Sequence, residues 1–216
     1  MPLAGRPMVV NVLHRTGSIP GIDVVVAAVP DLPEDDDLAA TCKRFGVLVV
    51  RGPSDDVLTR YAMAAAATDA DVVVRVTADC PLLSPSVSAR VLDHFEDCDY
   101  ASNTLQRTYP RGLDTEVFTA PALRMAHEEA VDPVEREHVT PFVYRRPDRF
   151  RLVHVANDVD LADRRWTVDN PDDMAFAIAV YESLGPDFEM GDVLALLERR
   201  PDIAEINRST MQKPLP

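Results

Sequence analysis

At 216 residues the chain has room for one sizeable core, and its 36 acidic against 22 basic residues leave a net charge of −14. That balance excludes general binding to nucleic acid or to anionic membranes, which needs basic patches. No apolar run approaches the ~18 residues of a membrane span, and no signal-peptide pattern opens the chain. Cys42, Cys80 and Cys98 are odd in number and widely spaced. The expectation is reduced thiols in a cytoplasmic protein forming one domain over residues 1–216.

Met1–Gly5 reads as too short for a strand, and Pro7 suits the first turn of a helix carrying Val9, Val10, Val12 and Leu13. Thr16–Gly21 reads as a connecting turn. It follows a helix and precedes a strand, whereas a phosphate-cradling loop follows a strand and opens a helix. Ile22–Ala28 is an apolar strand, then come a loop over Val29–Pro33, a helix over Glu34–Phe45 capped by Gly46, and a strand at Val47–Val50. Ser54 is the expected cap of the next helix, which carries Val57, Leu58, Tyr61 and Ala65. The run Asp71–Leu83 holds a buried strand of valines that must end before Pro81, because proline donates nothing to a ladder. Asp79 then stands at the carboxyl edge of the sheet, where open α/β folds place ligands; a carboxylate there also suits a helix cap.

Helix Pro85–Phe95, strand Tyr100–Asn103, a turn-rich Thr104–Gly112 and strand Asp114–Phe118 follow. Next come helix Pro121–Ala130, a helix over Glu135–Tyr144 interrupted near Pro141, and strands Phe150–Val155 and Arg165–Val168. Helices Asp172–Leu184 and Asp192–Arg199 close the pattern. Short buried strands alternating with helices are the signature of βαβ units and a mostly parallel sheet flanked by helices.

Three constellations carry chemistry. Asp169 lies in W-T-V-D-N-P, at a second strand-to-helix junction. If the two strands are neighbours, Asp79 and Asp169 can share one Mg²⁺, a hard ion that takes one or two carboxylates and fills its shell with water and phosphate oxygens. The same acidic residues also suit a helix N-terminus. The stretch Arg107–Glu116 mixes Arg, Tyr and carboxylates among turn residues, which suits either recognition of a polyhydroxylated or carboxylated small molecule or a solvated, ion-paired hairpin. The third, E-R-E-H-V-T-P around Arg136 and His138, is not a zinc-protease motif. Trp166, Phe142 and Tyr181 read as core.

The ordered series P-L-A-G-R-P-M, G-V-L-V-V-R-G-P-S-D-D-V-L-T-R-Y, D-V-V-V-R-V-T-A-D-C-P-L-L, Y-A-S-N-T-L-Q-R-T-Y-P-R-G-L-D-T-E-V-F, E-R-E-H-V-T-P-F-V-Y and R-W-T-V-D-N-P-D-D resembles the cytidylyltransferase family. This group holds the acylneuraminate and 3-deoxy-manno-octulosonate cytidylyltransferases, and the strongest likeness is to its spore-coat polysaccharide biosynthesis branch. The resemblance implies a Rossmann-like nucleotidyltransferase fold and, as in many members, a homodimer. It implies attack of a sugar or sugar-acid hydroxyl on the α-phosphate of CTP, giving CMP-sugar and pyrophosphate. Asp79 and Asp169 match the family's metal-binding acidic positions. Arg111, Asp114, Glu116, Arg136 and His138 fall on the sugar-facing side of the substrate site, and Arg75 either reaches a substrate phosphate or forms an ion pair at the strand end.

Family members open with a strand and a Gly-, Arg- and Lys-bearing loop ahead of the segment matching Pro2–Met8. The expectation from this sequence is a fold lacking that first strand and loop. The competing functions are a non-catalytic sugar-binding homologue and a glycosyltransferase that consumes a nucleotide-sugar.

Overall fold

The computed structural model describes residues 2–210; Met1 of the opening segment lies outside them. The chain forms a layered α/β fold. It opens on a miniature antiparallel hairpin, β1 (Pro2–Leu3) against β2 (Arg6–Pro7), where the sequence reading expected no strand. Ala4 and Gly5 turn it with positive φ, and Leu3 is fully buried. Pro7 precedes the first helical residue of α1 (Met8–Gly17), standing just outside the expected first turn.

The next units follow the expected rhythm with shifted ends. They are β3 (Val26–Pro30), a 3₁₀ turn at Pro33–Asp35, α2 (Asp36–Arg44), β4 (Leu48–Gly52), α3 (Val57–Thr68) and β5 (Val72–Arg75). The start of α3 is set by Asp56, whose carboxylate accepts from the Thr59 backbone N–H at 2.9 Å, not by Ser54. There follow α4 (Pro85–Asp93), β6 (Tyr100–Ser102), β7 (Glu116–Thr119), α5 (Ala120–Glu129), α6 (Pro133–His138), α7 (Pro141–Tyr144) and β8 (Leu152–His154). The break between α6 and α7 falls at Val139, held at φ 73°. The tail is α8 (Pro171–Leu184), α9 (Met190–Arg199) and α10 (Pro201–Ala204). Asn170 caps α8 by accepting from Asp173 N–H at 2.9 Å.

Beyond the β1–β2 hairpin, two sheets make up the frame among the described residues. β3 and β4 pair in parallel, and β5-β7-β6-β8 form a second sheet in that order. Within the second sheet only β6 and β8 are parallel; β7 runs antiparallel to both β5 and β6. Parallel pairing is therefore less general than the sequence rhythm suggested. The reason lies in the β6–β7 connection, which contains no helix. A parallel return needs a long crossover, so a strand arriving from a turn-rich loop pairs in the opposite sense. Arg165–Val168 does not form the expected strand; it makes one parallel bridge, Arg165 to Arg111.

The largest apolar cluster joins Leu3, Leu82, Tyr109, Leu113 and Trp166 to the inner faces of α8 and α9. A second gathers Tyr100, Phe118, Phe142 and Phe150 with α5. Cys42, Cys80 and Cys98 are buried free thiols. Among the described residues no helix is long and apolar enough to cross a membrane.

Candidate active site

The carboxyl end of β5 runs through Thr77 into a tight turn, with Cys80 N–H donating to the Thr77 carbonyl at 3.2 Å. This turn presents Asp79, whose Oδ1 accepts from the Thr77 hydroxyl and lies 3.4 Å from the Cys80 thiol. The segment before α8 lies directly beside it: Val168 N–H donates to the Asp79 carbonyl at 2.8 Å. Two junctions far apart in sequence are thereby clasped backbone to backbone, and Asp79 and Asp169 belong to one neighbourhood.

The loop carrying Arg111 closes the same place from a third side. Arg111 N–H donates to the Arg164 carbonyl at 2.9 Å, and Trp166 N–H donates to the Arg111 carbonyl at 2.8 Å. Gly112 makes the approach achievable. It sits at φ +99°, and a Cβ there would stand 2.7 Å from the Trp166 carbonyl carbon and 2.9 Å from the Thr167 nitrogen.

The charges are arranged with distinct degrees of commitment. Asp169 is half-exposed and pairs through Oδ2 with Arg165. Arg165 also donates to Asp173 at 3.1 Å and 2.8 Å. Asp173 is fully buried and accepts in addition from Asn207 Nδ2 at 3.0 Å and Asp169 N–H at 3.1 Å. Burial pushes the Asp173 carboxyl up, but the bonds from Arg165 and Asn207 outweigh it and hold the group below the usual carboxylate range. Arg107 grips Asp114 with two bonds of 2.5 Å and 2.8 Å. Arg111 makes no salt bridge among the described residues. Burial and the like charge of Arg107 lower its affinity for a proton. The Cys80 thiol is pushed well up by burial and by the charges of Asp79 and Asp114.

Behind the site, Arg75 and Glu116 are cross-strand neighbours on β5 and β7. They form a salt bridge, and Glu116 also accepts from Tyr100 Oη at 2.6 Å and from the Thr140 hydroxyl. Burial pulls the Arg75 guanidinium down, but the Glu116 charge overrides this and holds it above its ordinary value. Burial, reinforced by Glu116, raises the Tyr100 phenol well above its normal range, so it remains a donor.

Of the residues singled out in the sequence, the structure thus brings Asp79, Asp169, Arg111 and Asp114 together and sets Arg75 and Glu116 in the layer behind. It sends Arg136 elsewhere. That side chain spans α6 and α3, pairing with Asp56 and donating to Thr59 Oγ1 at 2.8 Å and to the His127 carbonyl at 2.8 Å. His138 ends α6 with its Nε2 buried and unpartnered. Sequence reasoning missed Arg165, Asp173 and Asn207. The i, i+4 and i, i+8 spacing of Arg165, Asp169 and Asp173 was the available signal; Asn207 gave none.

The profile of the family described as "Cytidylyltransferase" matches residues 1–183. The chain belongs to the cytidylyltransferase family. A cytidylyltransferase from Leptospira borgpetersenii has the same fold with a TM-score of 0.87 at 26% identity, over 99% of this chain and 90% of that one. The spore coat polysaccharide biosynthesis protein SpsF of Bacillus subtilis is 29% identical over 84% of this chain and 78% of its own length. An uncharacterized protein of Methanocaldococcus jannaschii is 28% identical over 99% of this chain and 88% of its own length. A CMP:2-keto-3-deoxy-manno-octonic acid synthetase, solved with CTP, shares the fold alone, with a TM-score of 0.59 at 15% identity.

Proposed function

We propose that this protein transfers a cytidylyl group from CTP to a sugar or sugar acid in the making of a surface polysaccharide. The observation that carries the reading is the clasp of the Asp79 turn to the Asp169 segment, with Arg111 beside it and in no salt bridge among the described residues. Family membership and the likeness to a spore coat polysaccharide protein supply the chemistry and the setting.

In the proposed reaction a sugar hydroxyl oxygen bonds to the α-phosphorus, the bond to the α–β bridging oxygen breaks, pyrophosphate leaves, and the hydroxyl proton passes to solvent. Arg111 is placed to receive an anionic oxygen of phosphate or sugar carboxylate, which it binds through rigid paired donors. The Arg107–Asp114 pair presents polar edges to sugar hydroxyls. Asp173 and Arg165 hold the Asp169 backbone and carboxylate in place.

A divalent cation fits this donor set. Asp79 accepts only hydroxyl and thiol protons, and Asp169 commits one oxygen to Arg165, so each keeps carboxylate lone pairs for a hard ion. Mg²⁺ takes one or two carboxylates and completes its shell with water and phosphate oxygens. When bound, the ion neutralises triphosphate charge and polarises the α-phosphoryl oxygen.

Pyrophosphate release from Mg–CTP, measured across a panel of sugars and sugar acids, tests the proposal. We expect release with at least one acceptor and a loss of about 100-fold or more in Asp79→Asn. No release with any acceptor, or unchanged release in Asp79→Asn, would refute it.

A further inference from the structure

The turn at the carboxyl end of β5 gives Asp79 two unlike oxygens. Oδ1 accepts from the Thr77 hydroxyl and lies 3.4 Å from the Cys80 thiol, which is itself 3.3 Å from Thr77 Oγ1. No hydrogen bond among the described residues reaches Oδ2. An ionised carboxylate has only acceptors to offer, so the single hydroxyl proton of Thr77 goes to Oδ1. One oxygen is thereby met by a strong and a weak donor, and the other is left for whatever enters the site.

Thr77 is not what holds the turn itself. The main chain there is fixed by three other bonds. Cys80 N–H donates to the Thr77 carbonyl at 3.2 Å, Val168 N–H to the Asp79 carbonyl at 2.8 Å, and Tyr181 Oη to the Pro81 carbonyl at 2.7 Å. The hydroxyl therefore acts on the Asp79 side chain. Without it the carboxylate is free to swing about its own single bonds and to offer both oxygens at once. The same division recurs at Asp169, where Oδ2 is taken by Arg165. Each of the two acids has one oxygen tied to the protein.

That division matters to a divalent ion. Ca²⁺ gathers roughly six to eight oxygens in a flexible shell and readily takes both oxygens of one carboxylate. Mg²⁺ demands a near-ideal octahedron at shorter distances and takes its carboxylates sparingly. We propose that Thr77 is a positioning residue that holds Asp79 to ligation through one oxygen and so biases the site toward Mg²⁺ over Ca²⁺. This role rests on the proposed ligation by Asp79, through which Thr77 acts.

The test is calorimetry on the whole chain, with Mg–CTP and Ca–CTP as separate titrants and no acceptor present. Thr77→Val, which keeps the shape and loses the proton, should weaken Mg–CTP binding about tenfold and change Ca–CTP binding by no more than about twofold. Thr77→Ser, which keeps the hydroxyl, should restore the parent's preference. Thr77→Ala should repeat the valine result, and far-UV circular dichroism matching the parent's shows that each variant is folded. An equal loss for both ions in folded Thr77→Val and Thr77→Ala, or an unchanged ratio, would overturn the role of Thr77 and leave the proposed reaction standing. A parent that binds neither complex, or an Asp79→Asn variant that binds both as the parent does, would remove the ligation by Asp79 and the role of Thr77 with it.

Discussion

The two flanks of β5 make an instructive pair. On the β7 side, Tyr100, Ala101, Ser102, Val117 and Phe118 are all buried, and the polar atoms of Glu116 are saturated by Arg75, Tyr100 and Thr140. On the β3 side, Val24 and Val72 remain partly exposed, and among the described residues no ladder joins β3 to β5. Both flanks are rich in apolar residues, valine and alanine on β3 and Tyr100, Ala101, Val117 and Phe118 on β6 and β7. The difference is set by what the rest of the chain brings to each edge, so apolar sequence shows a capacity for burial and not its completion.

The sharpest way to break the comparison is at the centre of the closed flank. Glu116→Ala leaves Arg75 buried without its counter-charge and strips an acceptor from Tyr100 and Thr140. A loss of about 3–5 kcal/mol is expected in urea unfolding. Phe118→Ala, on the same strand but apolar, should cost about 3–5 kcal/mol through cavity formation, with Glu116 left in place.

A smaller effect comes through pH. Asp173 has a folded pKa below its unfolded value of about 3.9. Its contribution is therefore complete above that value and is lost as pH falls through the folded pKa. Stability followed by urea unfolding should decline below about pH 4 in the parent, and Asp173→Asn should flatten that decline while lowering stability at neutral pH. The smallest effect belongs to the open flank. Val72→Ala should cost only about 1 kcal/mol, because its side chain is already 40% exposed. A cost as large as that of Phe118→Ala would erase the contrast.

Much of this was legible in the sequence. Periodicity placed α1, α4, α8 and the strands β4 to β7 within a few residues. Other features were decided by partners at a distance. Asp56 displaced Ser54 as a cap because its carboxylate reaches Thr59 N–H, a choice that composition does not make. Arg165–Val168 looked like a strand but spends its backbone on Arg111 and Asp79, one bond at a time. Asp79 follows β5 as expected, whereas the strand expected before Asp169 does not form and Asp169 keeps only its place ahead of α8. Arg136 was not placeable, since its value to the fold depends on Asp56, eighty residues earlier. The direction of β7 is written in the length of its connection, which holds no crossover helix, and not in the rhythm of strands and helices.

Gly112 carries a consequence for how the centre can adapt. The spacing between the Arg111 loop and the Asp169 segment is set by main chain resting on main chain, a contact that no rotamer change can widen. In the proposed reaction, acceptors that differ in girth would be sorted by the side chains on either bank. Gly112→Ala would act as a wedge, forcing the banks apart without touching a single charged group.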